Sequence, residues 1–118
     1  MFYYTVLTQA FWLDNELWGT AYSGTGAGRN NPEMQNVPNV GPIPAGVYTV
    51  ERPSYTHPVE GPVVFNLTPL LGTQVFGRTG FHIHGNNTEN DASHGCIILW
   101  RPIRERIDKV SETLLTVQ

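Results

Sequence analysis

A chain of 118 residues, 40% hydrophobic and 11% aromatic, is long enough to bury one core and too short to carry a second catalytic domain. Seven Lys and Arg against ten Asp and Glu give a net charge of -3, with no basic surface to hold a polyanion, so nucleic acid is not an expected partner. The longest apolar runs, such as Cys96 to Trp100, fall well below the roughly 18 residues of a membrane-spanning helix, so no membrane insertion is expected.

The first segment, Met1 to Ala10, carries no Lys or Arg and runs on into Asp14 and Glu16. It lacks the basic start and small-residue cleavage site of a secretory signal, so synthesis in the cytoplasm without a signal peptide is expected. Phe2 to Leu13 is rich in aromatic and β-branched residues, meets Asp14-Asn15, and resumes as Glu16 to Tyr22, which predicts a β-hairpin. From Ser23 to Pro42 nothing is periodic. A loop of this length predicts a site wall or lid. Its Gly-rich start, Tyr22 to Gly28, has no Lys and opens no helix, so it is a poor phosphate cradle. Gly41-Pro42-Ile43-Pro44-Ala45-Gly46 is a rigid turn that launches a strand over Val47 to Arg52. Further short strands fit Val63 to Leu67, Phe81 to His84 and Ile97 to Trp100, with Pro53, Pro58, Pro62 and Pro69 on their flanks.

Pro102 suits the first position of a helix, and Ile103, Ile107, Val110 and Leu114 recur along one face. Arg104, Glu105, Asp108 and Lys109 would cover the solvent side. Gly, Pro and Asn make up 30 of the 118 residues, which fits short strands joined by structured loops. The predicted architecture is a single, mostly β domain over residues 1–118 with one C-terminal amphipathic helix.

Three of the four histidines and the single cysteine fall between His82 and Cys96. On a strand, His82 and His84 face one side and Phe81 and Ile83 the other. Gly85 and a polar loop lead to Ser93-His94-Gly95-Cys96, and Ile97-Ile98-Leu99 anchors the thiol to a core strand. A cysteine attacks carbonyls as its thiolate, and an imidazole from His84 or His94 could take the proton. N–H groups near Gly95 and Cys96 could receive the oxyanion. Acyl transfer through a thioester uses all of these parts. Two other readings stand beside it: an inert buried cysteine, and a tetrahedral zinc site made by His82, His84, His94 and Cys96. His57, in a loop before Pro58, reads as a solvated histidine.

The stretch Ile83-His84-Gly85, a short polar loop, and Ser93-His94-Gly95-Cys96-Ile97 resembles the active-site signature of the L,D-transpeptidase catalytic domain. Only eleven residues separate His84 from Cys96, and this compact form resembles the type VI secretion L,D-transpeptidase effector family. Tyr22-Ser23-Gly24 followed by Gly28 to Pro32, and Gly41 to Tyr48, are similar to that family's N-terminal half. The resemblance implies a β-sandwich-like catalytic domain with Cys96 as nucleophile and His84 as base. His94, Ser93 and Gly95 complete the catalytic element, and Tyr22 and Ser23 would bind substrate. Arg78, just before the histidine strand, reads either as a surface charge or as a substrate-binding guanidinium fork for the carboxylate of the terminal D-alanine or of the diaminopimelate side chain. His82, with no role to carry over, reads as a packing residue or as one that supports the catalytic groups from behind. The implied reaction acts on peptidoglycan stem tetrapeptides, removing or exchanging the terminal D-alanine, with no cofactor and no metal. Implied partners are the stem peptides, a secretion machinery and an immunity protein, and the implied destination is a target bacterium's periplasm. A non-catalytic wall-binding or phage-structural module with the same fold is a further reading.

Overall fold

Short aromatic and β-branched runs, interrupted by turn formers, give ten strands and one helix in a computed structural model that describes residues 1–118. Phe2–Thr5 (β1) and Ala10–Leu13 (β2) pair antiparallel, and the Asp14-Asn15 turn leads into Glu16–Thr20 (β3). The expected run from Phe2 to Leu13 is therefore two strands. The chain reverses between them, with Gln9 at a φ of 65° and Leu7 exposed. The remaining strands are Tyr22–Ser23 (β4), Gly46–Val50 (β5), Tyr55–His57 (β6), Gly61–Pro69 (β7), His82–His84 (β8), Ile97–Ile98 (β9) and Leu114–Val117 (β10). Pro62 and Pro69 lie inside the two ends of β7, not outside it.

The strands run in the order β3-β2-β1-β10-β5-β7-β8-β9-β4, with β6 pairing to β7 off this path. The mostly β class holds. The expected sandwich is realised as a single bent sheet that nearly closes on itself. β7 makes the bend possible because it changes partners along its nine residues. Gly61 and Val64 face β6, Phe65 and Asn66 face β8, and Leu67 to Pro69 face β5. Its buried Val64, Phe65 and Leu67 lie where the two halves of the sheet meet. The enclosed core takes Phe2, Tyr4 and Phe11 from one half and Ile83, Ile97 and Leu99 from the other.

The predicted C-terminal helix is the largest departure. The helix Arg101–Ile107 (α1) has only seven residues, with Pro102 at its second position, and Leu114 belongs to β10. Helical spacing continues by coincidence through Val110 to Leu114. The alternation Leu114-Leu115-Thr116-Val117 buries Leu115 and Val117 as a strand, parallel to β1 and antiparallel to β5. Arg104, expected in solvent, is buried under α1. Its guanidinium donates to the carbonyls of Leu99 (3.0 Å), Pro62 (2.7 Å) and Val63 (3.0 Å), so it fastens α1 to β7 and to the end of β9.

Candidate active site

β8 lies between β7 and β9, and this places the histidines. Ile83 pairs with Phe65 on one side and Ile97 on the other, so β8 cannot slide without exposing three buried side chains. His82 and His84 consequently share a face, and both meet one carboxylate. Glu60 Oε1 lies 2.8 Å from His82 Nδ1, and Glu60 Oε2 lies 3.7 Å from His84 Nε2. Glu60 is the important residue that the sequence reading missed. It sits in the turn between β6 and β7, and only the pairing of β7 with β8 brings it to the histidines. The signal available in the sequence was weak: His57 and Glu60 flank a Pro-containing turn just before a strand run.

His57 corrects the expectation of a solvated loop residue. It ends β6, and its Nδ1 accepts the N–H groups of Val59 and Glu60, both at 3.0 Å. Its ring packs 5.7 Å from that of His82. Glu60 is thus held through its backbone by one histidine and through its carboxylate by another.

His84 is buried, and its Nδ1 lies 2.9 Å from the Gly85 carbonyl. A carbonyl only accepts, so Nδ1 carries the hydrogen and Nε2 keeps the lone pair. Burial lowers the His84 pKa from its ordinary 6.5, partly opposed by the negative charge of Glu60, so the ring is neutral at pH 7. A His84 ring nitrogen, a Glu60 oxygen and the Cys96 sulfur all lie within 4.8 Å of one another. Burial pushes the Cys96 thiol up to about 12, against smaller opposing effects of the His82 backbone N–H and the Arg78 charge. The resting sulfur is a thiol, 3.7 Å from the Gly80 carbonyl. It lines an open cavity of about 370 Å³ with Glu60, Arg78, Phe81, His94 and Gly95. The long loop supplies Pro38 and Asn39 to the same cavity, so it is a site wall.

The other predicted site residues are spread more widely than expected. Ser93 is fully buried, and its Oγ accepts the N–H groups of Gly24 (2.8 Å) and Gly95 (3.2 Å) while donating to the Cys96 carbonyl (2.6 Å). It shapes the turn that holds the thiol and does not reach the cavity. The Gly95 N–H is therefore already committed, whereas that of Cys96 has no partner. Gly95 itself has a φ of 127°, and a Cβ there would lie 2.5 Å from Arg78 Nη2, so both the backbone and the close approach require glycine. His94 is exposed on the rim, its Nδ1 3.3 Å from the Asn39 carbonyl.

Tyr22 and Ser23, expected to touch substrate, are buried struts. The Tyr22 hydroxyl donates to Asn86 Oδ1 (2.6 Å) and accepts the Ala92 N–H (2.9 Å), tying down the polar loop. Ser23 Oγ accepts the Ile43 N–H (2.9 Å) and donates to the Gly95 carbonyl (3.2 Å). Neither lines the cavity beside Cys96. Arg78 does line it, but is buried rather than free to swing. Its Nη1 donates to the carbonyls of Gln35 (2.6 Å) and Pro42 (2.7 Å), and its Nη2 to that of Gly41 (3.0 Å).

The four residues of the zinc reading are not gathered. The metal-capable groups are instead His57 with Glu60 and His82, and Glu60 with His84 and Cys96, and His94 belongs to neither. The short Glu60 to His82 contact also commits Nδ1 of His82 as a hydrogen-bond donor, with no lone pair left on that nitrogen for an ion.

Fold and site together define a mostly β domain that holds a thiol and a neutral buried imidazole beside an open cavity. Residues 19–116 match the model of the Tlde1 domain, and the chain belongs to that family of type VI secretion L,D-transpeptidase effectors. Among curated proteins, none matches the sequence.

Proposed function

We propose that the chain is a cysteine-dependent enzyme of peptidoglycan that acts on stem tetrapeptides through a thioester on Cys96. As an L,D-carboxypeptidase it would release the terminal D-alanine to water, and as an L,D-transpeptidase it would exchange it for another D-amino acid. The observation that carries this reading is the proximity of the Cys96 sulfur to a His84 ring whose tautomer is fixed by the Gly85 carbonyl. With a thiol pushed up to about 12, almost no thiolate exists at pH 7, so the proton must leave as attack occurs.

In this mechanism His84 Nε2 takes the thiol proton while Sγ attacks the carbonyl of the third stem residue. The oxyanion forms near the free Cys96 N–H. Collapse breaks the amide bond, and the His84 imidazolium gives its proton to the departing D-alanine amine. Water or the amine of a D-amino acid then attacks the thioester, His84 accepts its proton, and that proton returns to sulfur as the thiol leaves. Arg78, by holding the loop carbonyls at Gln35, Gly41 and Pro42, keeps the substrate wall in place. Family membership supports delivery into a rival cell, where the periplasm offers the substrate and an immunity protein would protect the producer.

Mass analysis of purified tetrapeptide muropeptides tests the reading. The parent should remove or exchange D-alanine, and Cys96→Ala should lose activity on the scale of the roughly 10⁶-fold drop typical of a missing nucleophile. No product from the reduced parent, or a Cys96→Ala variant with more than about a tenth of its activity, overturns it.

A further inference from the structure

Glu60 has no part in the thioester scheme above, yet its carboxylate is held by His82 beside both the thiol and the His84 ring. It lines both the cavity of about 370 Å³ that contains Cys96 and a second one of about 280 Å³ that contains His84, so it stands in the partition between them. His82 fixes one oxygen at 2.8 Å, and the other faces His84 Nε2 at 3.7 Å. That distance is too long for a hydrogen bond and short enough for a strong charge interaction in a buried site.

Resting on the thioester reading, we infer that Glu60 is a positioning residue for acyl transfer: its carboxylate is the counter-ion of the imidazolium formed when His84 Nε2 takes the Cys96 proton. The charge acts differently at successive stages. Next to the resting thiol it opposes thiolate formation, because two negative charges would lie within 4.8 Å. Once sulfur bonds to the substrate carbonyl, the negative charge has moved to the oxyanion, while the imidazolium still faces Glu60. The carboxylate therefore stabilises the tetrahedral intermediate more than the ground state, which is what acceleration requires. His82 has a role in this arrangement, since its Nδ1–H holds Oε1 and so aims Oε2 at His84. The charged or titratable groups around His84 are Glu60 from the β6–β7 turn, His82 on β8, Cys96 before β9 and Arg104 from α1. Asp91 and His94 face it across the second cavity.

The test uses Glu60→Gln, which keeps the shape and an oxygen for His82 but removes the charge. On tetrapeptide, kcat should fall about ten- to a hundred-fold with KM nearly unchanged, a part of what positioned acid–base groups contribute. The acid limb of kcat/KM should move to lower pH, because the charge that favours protonated His84 is gone. Alkylation of Cys96 by iodoacetamide at pH 8 to 9 should become faster, because the charge opposing the thiolate is also gone. Slower turnover with faster alkylation separates this role from a structural one, which would lower both. Glu60→Asp, with the charge retained at shorter reach, should keep the acid limb near the parent's and lose less activity. Unchanged turnover in Glu60→Gln, or turnover and alkylation falling together, overturns the inference. Should the parent not act on tetrapeptide at all, the functional reading fails by itself, and alkylation that does not rise in Glu60→Gln still rejects the role of Glu60.

Discussion

Burial of the Cys96 thiol has a consequence for stability that requires no substrate. An unfolded chain releases this proton near the ordinary 9.0, whereas the folded chain keeps it to about 12. Between these values the folded state binds more protons, so its stability must fall as pH rises through that window. Cys96→Ala lacks the group, and the urea midpoint of the parent should decline more steeply than the variant's from pH 9 to 11. Equal slopes would mean that the thiol is not desolvated. A second prediction at this scale concerns Gly95. Its φ of 127° and the 2.5 Å approach to Arg78 Nη2 make Gly95→Ala strained in two ways, with an expected loss of about 1 to 3 kcal/mol in denaturant unfolding. A variant as stable as the parent would show that the turn can relax.

Two buried arginines act between elements. Arg104 joins α1 to β7 through the carbonyls of Pro62 and Val63 and to the end of β9 through that of Leu99, and Arg78 joins the turn before β8 to the wall loop through three more. Arg78→Ala would strand its three carbonyls and should cost about 3 kcal/mol, with faster amide exchange across residues 35–42. Lys should restore only part, because one ammonium cannot reproduce the planar fork. A loss below about 0.5 kcal/mol with unchanged exchange would return Arg78 to the class of surface charges. Neither anchoring role was legible in sequence. Arg78 reads as a cation near a histidine strand and Arg104 as the polar side of an amphipathic helix, since carbonyl acceptors leave no trace in residue identity.

Across the whole molecule, β10 closes the structure by lying between β1 and β5, so the last strand completes the sheet that the first began. Strand alternation buries Leu115 fully and Leu114 only partly, the reverse of what a continued helix would do. Leu115→Ala should therefore cost about 2 to 5 kcal/mol and Leu114→Ala clearly less, measured by urea unfolding. The opposite order would restore the longer helix.

Local chemistry explains which features the sequence determined. Asp14-Asn15, the Gly41 to Gly46 turn and the alternation of His82 to His84 each depend on a few neighbouring residues, so turn preference and strand period suffice to read them. Tight spacing of Ser93-His94-Gly95-Cys96 after His84 carried the family for the same reason. Tertiary structure alone decided the rest. Glu60 reaches the site because β7 pairs with β8. Ser93, Tyr22 and Ser23 point into supporting contacts because neighbouring loops fill their surroundings. Leu114 to Val117 becomes a strand because β1 and β5 offer it two open edges. Long-range pairing and the protein dielectric set these outcomes, and neither is a property of any residue taken with its neighbours in the chain.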